Sequence, residues 1–317
     1  MIRGTIVVPD DFPPVLTGTD AEAKLRALDR PVRIFTERGA DDEAELIRRI
    51  ADAECVVNIR AHAQFTSRVI DACSNLRMIS VWGSGTDHVD LTACARRGIT
   101  VANTPGVNAH AVAEHTMALM LSIMRRIPQL HARMRSGEWP RGLSAQLEGK
   151  TLGIVGLGAI GSRVAGLARA FGMKLLITTA GADRGRAAAL GARHVSLDEL
   201  LRESDVVSLH LRLNADTRGI LGRAQLALLE PTAYLVNTAR GALVDRDALL
   251  DALQHERIAG AGLDVFDEEP LPAGDPLRSL PNVVLTSHNA GVTPEVIAEG
   301  LRLAVENVRG FLDGAPA

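Results

Sequence analysis

This 317-residue chain is poor in cysteine, in long apolar runs and in clustered charge, and each shortage excludes a class of function. Cysteine occurs only at Cys55, Cys73 and Cys94, isolated and in apolar or helical surroundings. An odd, scattered set fits reduced core thiols and neither a disulfide framework nor a metal cage. The longest apolar stretches, such as Met117 to Met124, fall well short of the roughly 20 residues that span a bilayer, so membrane insertion is not expected. Net charge is -3, with both signs interspersed and no basic run carrying interleaved aromatics, so nucleic acid is not an expected partner. Met1 to Pro9 lacks the apolar core and small-residue cleavage site of an export signal and reads as a first strand, which makes the cytoplasm the expected compartment. There is no repeat of fixed period and no low-complexity segment.

What is present is apolar material for two ordinary cores, at 46% hydrophobic residues. Apolar runs alternate with helical ones from the start: strand Ile2 to Val8, helix Asp20 to Leu28, strand Val32 to Phe35, helix Asp42 to Ala51, strand Cys55 to Ile59, helix Ser67 to Ala72 and strand Met78 to Val81. This is a βαβ series. A second series has strands near His194-Val195, Val206 to Leu211, Tyr234 to Asn237, Gly260 to Val265 and Val283 to Thr286. The expected fold class is α/β, with two doubly wound parallel-sheet domains of Rossmann or flavodoxin type and a cleft between them. Val107 to Ile127 has the spacing of a long buried helix, with a hinge at Pro105-Gly106 and a second near Gly291. The last helix, Pro294 to Leu312, crosses back to the first domain. The expected division is 1–100 with 292–317 as a discontinuous substrate-binding domain, and 101–291 as the dinucleotide-binding domain. Arg133 to Gln146 is polar, contains Trp139-Pro140 and reads as an arm packing on a second subunit of a homodimer.

The strongest motif is Gly156-Leu157-Gly158-Ala159-Ile160-Gly161, directly behind the apolar run Thr151 to Val155. In this pattern the first glycine turns tightly, the second brings backbone close to a pyrophosphate, and the third lets the following helix pack against the strand. The helix N-terminus adds free N–H groups and partial positive charge. An amphipathic stretch from Ser162 to Phe171 and a second strand, Lys174 to Thr178, complete the context for a dinucleotide site.

Three residues stand at or beyond the carboxyl ends of the later strands, the edge that lines the ligand crevice of open parallel sheets: Arg240, Glu269 and His288. Exchange of hydride between a nicotinamide and a carbon–oxygen centre needs a proton partner near neutral pH, a task for histidine. A neighbouring carboxylate fixes the ring, and an arginine grips a substrate carboxylate with its planar fork. Each has a plainer reading: Arg240 as a salt-bridge residue, Glu269 as a solvated carboxylate with Asp267 and Glu268 as rivals, His288 as a loop histidine. His110 and His115 are five apart, off the spacing of one helical face, so no metal is expected and they are read as packing or capping residues.

With these residues in place, the chain resembles the D-isomer-specific 2-hydroxyacid dehydrogenase family, which includes phosphoglycerate dehydrogenase and glyoxylate/hydroxypyruvate reductases. The likeness covers nearly the whole chain, most specifically Val155 to Gly161, Ser204 to Leu211, Val236 to Asp245 and Ala261 to Phe266. It implies a nicotinamide-dependent oxidoreductase acting on a small 2-oxo acid or D-2-hydroxy acid, with Arg240, Glu269 and His288 as the catalytic set. It also implies NAD or NADP contacts at Gly156, Gly158, Ala159, Ile160, Gly161, Thr179, Arg184, His210, Thr238 and Asp264, the last holding the nicotinamide carboxamide. Asp264 capping a turn is the structural alternative. Gly83, Ser84 and Gly85, in Val81 to Asp87, match a glycine-rich substrate loop, and Arg60 resembles a substrate-facing arginine. Three departures bear on specificity. Thr178-Thr179 stands where an aspartate usually binds the adenosine ribose, with Arg184 and Arg186 following, which leaves NAD and NADP both open. Arg212 replaces a proline, and Ser287-His288-Asn289 replaces a Pro-His-aliphatic sequence. The extra regulatory domain of some phosphoglycerate dehydrogenases is not expected. Other readings are a dehydrogenase of another small anion, such as formate or phosphite, and a nucleotide-sensing corepressor-like scaffold.

Overall fold

Short apolar runs become parallel strands here because nearly all are followed by a helix that carries the chain back over the sheet before the next strand begins. The computed structural model describes residues 4–179 and 184–314. It divides into two compact units, Met1–Asn108 with Val292–Ala317, and Ala109–Gly291.

The first unit contains β1 (Thr5–Val8), α1 (Asp20–Arg26), β2 (Val32–Ile34), α2 (Glu43–Ile50), β3 (Ala53–Asn58), α3 (Ser67–Ala72), β4 (Met78–Val81), α4 (Leu91–Arg97) and β5 (Thr100–Asn103). Its five parallel strands lie in the order β2-β1-β3-β4-β5. Thr19, Asp42, Thr66 and Asp90 start the four helices by accepting the N–H three residues on, which satisfies a donor that the first turn leaves free. Alternate strand residues feed opposite faces. Val7, Val56, Ile79 and Val81 pack with Leu46, Phe65 and Ile70, while Ile6, Val8, Cys55, Val57 and Met78 pack with Leu301, Ala304, Val305 and Val308.

Those last four residues belong to the closing helix Pro294–Leu312, capped by Thr293. Ser80 Oγ donates to the Ala304 carbonyl at 2.9 Å, seating this helix on β4. The sequence reading passes over α4 and β5. Strand β5 reads Thr-Val-Ala-Asn and is half-buried throughout, so it offers no apolar run to detect. It pairs with β4 from Met78↔Thr100 to Val81↔Asn103, so residues 101–103, assigned by sequence to the second domain, sit in the first sheet.

The second unit begins with α5 (Ala109–Met124) and α6 (Ile127–Arg135), followed by β6 (Thr151–Val155), α7 (Ala159–Ala170), β7 (Lys174–Thr178), α8 (Arg184–Ala189), β8 (Arg193–His194), α9 (Leu197–Glu203) and β9 (Val206–Leu209). Then come α10 (Arg223–Leu226), β10 (Tyr234–Asn237), α11 (Arg246–Gln254), β11 (Gly260–Leu263) and β12 (Val283–Leu285), after which Pro294–Leu312 is α12. The parallel order is β12-β11-β10-β9-β6-β7-β8. Val155, Val207, Leu209, Leu235 and Leu263 fill one face, and Leu152, Ile154, Ile177, Val206 and Val236 the other, under Met117 and Met120 of α5. The helix expected over Val107 to Ile127 is α5 and stops at Met124, because Pro128 lacks the N–H and space to continue it, and Arg126 turns into the left-handed region at φ 54° ahead of α6. The expected arm from Arg133 to Gln146 therefore starts inside the last turn of α6.

Candidate active site

All the residues proposed from sequence for the reaction itself, and most of those proposed for the cofactor, fall on loops at the carboxyl edge of the second sheet. Behind β6, Gly156 adopts φ 102°, and a Cβ on Gly161 would sit 2.2 Å from the Gly156 carbonyl oxygen, so both must be glycine. Gly158, the N-cap of α7, has no side-chain cap, and the space where its Cβ would point is open to 4 Å. Uncapped N–H groups of a three-turn helix facing open space fit a dinucleotide pyrophosphate. At the end of β9, His210 lies 2.9 Å from Ser208 Oγ, and burial pushes its pKa down to about 4, so the ring is neutral. Thr179 Oγ1 accepts a long hydrogen bond from Leu157 N at 3.5 Å. Arg184 opens α8, and its side chain lies outside the described residues.

The loop after β10 carries Arg240. Asn237 shapes it from both sides: Nδ2 donates to the Arg240 carbonyl at 2.8 Å and Oδ1 accepts from Ala239 N at 3.0 Å. Arg240 Nη1 donates to the Ala239 carbonyl at 2.8 Å. A Cβ on Gly241 would come within 2.1 Å of the Phe266 carbonyl carbon, so the loops after β10 and β11 touch backbone to backbone. On the second of these, Glu269 Oε1 accepts from Phe266 N at 2.9 Å and Oε2 lies 2.7 Å from His288 Nδ1. Burial alone would raise the Glu269 pKa. The hydrogen bond and charge of His288, the Phe266 N–H and the Arg240 guanidinium outweigh it and hold the carboxyl below its usual range. Asp267 moves the other way, raised by burial. Glu269, His288 and Arg240 thus share one electrostatic neighbourhood, with the histidine side chain 40% exposed.

Asp264 lies behind the His288 loop. It is fully buried, and its oxygens accept from Thr286 Oγ1 at 2.6 Å, Asn289 N at 2.8 Å and Ala290 N at 2.9 Å. In this arrangement it caps the turn around His288, the structural alternative given above. Its backbone carbonyl also accepts from His288 N at 2.7 Å, pinning a residue held at φ 53°. Thr238 is likewise buried, with Oγ1 2.9 Å from Thr116 Oγ1. Sequence reasoning missed two participants, His115 and Thr116 of α5. His115 Nε2 lies 3.0 Å from Thr286 Oγ1 and 3.6 Å from Asp264 Oδ1. The apolar character of α5 hid them, and the visible signal was the polar run Glu114-His115-Thr116 within a mainly apolar helix.

The first unit holds the remaining site residues. Gly83 N donates to Thr104 Oγ1 at 2.8 Å, which ties the loop to the segment after β5. Asn103 Nδ2 donates to the Ser84 carbonyl at 2.9 Å and Gly106 N to Ser84 Oγ at 3.2 Å, which fixes the loop. Arg60 donates from Nη2 to the Pro13 carbonyl, and its Nε is buried without a partner. Burial lowers its pKa, and nearby Asp11 and Asp10 oppose the shift.

A doubly wound sheet with an uncapped glycine-turn helix and a His–Glu pair at its carboxyl edge defines a nicotinamide-dependent oxidoreductase. Residues 117–290 match the model described as D-isomer specific 2-hydroxyacid dehydrogenase, NAD binding domain, and the chain belongs to that family. It is similar to a glyoxylate reductase of Aeropyrum pernix, 43% identical over 78% of this chain and 76% of that one. It is 38% identical to a D-3-phosphoglycerate dehydrogenase of Synechocystis over 87% of this chain, and spans half the length of that relative. Among solved structures, a D-lactate dehydrogenase from Aquifex aeolicus, complexed with NAD and lactic acid, superposes with a TM-score of 0.87 at 30% identity over 98% of this chain and 96% of that one. An acyclic imino acid reductase in complex with NADPH and D-Arg superposes at 0.89 and 30% identity, over 99% and 98%. The reaction of this chain is hydride transfer between a nicotinamide cofactor and a 2-oxo/2-hydroxy acid pair.

Proposed function

We propose that the chain reduces a small 2-oxo acid of the glyoxylate type, reversibly, with His288 as proton donor, Glu269 as its partner and Arg240 as the group that grips the substrate carboxylate. The observation that carries this reading is the 2.7 Å contact between Glu269 Oε2 and His288 Nδ1. A carboxylate accepting the Nδ1 proton orients the ring and leaves Nε2 as the atom that exchanges a proton with substrate oxygen. Arg240 supplies positive charge where the carboxylate and the polarised carbonyl oxygen sit, and its fork fits a carboxylate in two-pronged fashion. A bound nicotinamide supplies the hydride. The N–H groups of the α7 N-terminus hold the pyrophosphate, and the unit containing Arg60, Ser84 and Gly85 binds the substrate.

Thr179 has neither the charge nor the second acceptor of a carboxylate for the adenosine ribose, so NADP is accepted alongside NAD. The protein is a homodimer joined through the second unit. Supporting this, Ile127, Met134, Trp139 and Leu143 are exposed along α6 and the segment after it, with Leu143 96% exposed. It works in the cytoplasm, where its three buried, free cysteines stay reduced. No helix among the described residues is long and apolar enough to cross a membrane. The deciding experiment is cofactor oxidation over a panel of glyoxylate, hydroxypyruvate, pyruvate and bulkier 2-oxo acids. Turnover of the small acids is expected, and inactivity with all of them overturns the reading.

A further inference from the structure

Two consecutive residues of α5 reach two different loops of the same edge. His115 Nε2 lies 3.0 Å from Thr286 Oγ1, and Thr286 Oγ1 donates to Asp264 Oδ1 at 2.6 Å. Since that hydroxyl spends its proton on Asp264, it meets His115 with a lone pair, and Nε2 carries a hydrogen. The relay runs from His115 to Thr286 to the Asp264 carboxylate, which also receives the N–H groups of Asn289 and Ala290. His288 sits inside this bracket in the left-handed region, a conformation that an ordinary side chain keeps only when its surroundings impose it. Thr116 repeats the pattern. Its Oγ1 donates to the Val112 carbonyl at 2.7 Å, so the Thr238 hydroxyl, 2.9 Å away, donates to it in turn. Thr238 lies two residues before Arg240, in the loop that Asn237 shapes.

We infer that His115 and Thr116 are positioning residues: one side of α5 fixes the loop of the proton donor through Thr286 and Asp264, and the loop of the substrate-gripping arginine through Thr238. The inference rests on the reading of His288 and Arg240 given above. Neither α5 residue touches substrate. Their effect is geometric, and displacements on the order of 1 Å at reacting groups cost roughly a hundredfold in rate. Because the two relays end on different loops, their losses fall on different kinetic parameters.

The test is steady-state reduction of glyoxylate at saturating cofactor, with the dinucleotide dissociation constant measured separately. His115→Phe is expected to lower kcat about ten- to hundredfold, with dinucleotide affinity within about twofold of wild type. Thr116→Val, which strands the Thr238 hydroxyl, is expected to act chiefly on the KM for glyoxylate, raising it about tenfold. His115→Gln, which returns an N–H donor, and Thr116→Ser, which returns the hydroxyl, restore most of the loss. In a His288→Ala background, His115→Phe adds no further loss of turnover. An unchanged kcat in His115→Phe, a parallel loss of dinucleotide affinity, or failure of the glutamine to rescue overturns the inference. If His115→Phe does not fold, Thr286→Val cuts the same relay from its other end and must give the same loss of kcat. Failure of the catalytic reading looks different: there, His288→Ala itself retains turnover.

Discussion

His288 and Glu269 form a pair whose polarity is set by which atom carries which proton. With Nδ1 engaged by the carboxylate, only Nε2 can exchange a proton, so His288→Ala is expected to lower turnover by about a hundred- to ten-thousandfold while dinucleotide affinity stays near wild type. Wild-type rates in that variant would remove His288 from the mechanism. Arg240→Lys keeps the charge and loses the planar fork, and a clear loss of kcat/KM for the 2-oxo acid is expected from the same assay. Thr179→Asp adds an acceptor for the ribose and a like charge against a 2′-phosphate. It should shift the NADH-to-NADPH ratio of kcat/KM toward NADH by roughly tenfold, the effect of about 1.4 kcal/mol of repulsion. A wild-type enzyme already strongly selective for NADH would show that the ribose is read elsewhere.

Elements were legible in the sequence where a run of apolar residues marks a buried strand, as in Thr151–Val155 and Val206–Leu209. They were illegible where burial is partial, as in β5, or where one residue breaks a long apolar stretch, as at Arg126 between α5 and α6. The site shows the same division. Glu269 and His288 were legible as candidates because their residue types name a chemistry, and they do meet at 2.7 Å, whereas the bonds of Asp264 to Asn289 and Ala290 were not legible, since those partners are backbone groups without any sequence signature. The contact between the loops after β10 and β11 belongs to this scale. Gly241→Ala pushes a methyl into the Phe266 backbone and should cost about 1–3 kcal/mol in denaturant unfolding, together with a fall in kcat as Arg240 and Glu269 separate. The end of β9 carries a pH signature. His210 titrates at about 4 in the fold, against about 6.5 in an unfolded chain. Between these values the unfolded chain binds the proton and the folded one does not, so stability falls as pH drops through the window. From pH 6.5 to 4.5 this removes about 2–3 kcal/mol, and His210→Gln should flatten that part of the curve. A variant as acid-sensitive as wild type would show that the ring does not titrate as its burial implies.

At the scale of the whole molecule, the exposed apolar side chains from Ile127 to Leu143 make association the expected state. Light scattering at micromolar concentration should return twice the 33.8 kDa of one chain, and Trp139→Glu with Leu143→Glu should return one. A wild-type monomer would contradict the proposal. The return of α12 to the first sheet bears on how the chain is made. The helix arrives roughly 190 residues after β5, so the strand face of Ile6, Val8, Cys55, Val57 and Met78 has only α1 and the segment before it, through Leu16, Ala21 and Leu25, as cover while the whole second unit is synthesised. At about 5–20 residues per second that interval lasts on the order of 10–40 s. During it the nascent first unit is a sheet with one apolar side only partly covered, a natural client for a chaperone and the point at which a stalled or truncated chain would aggregate.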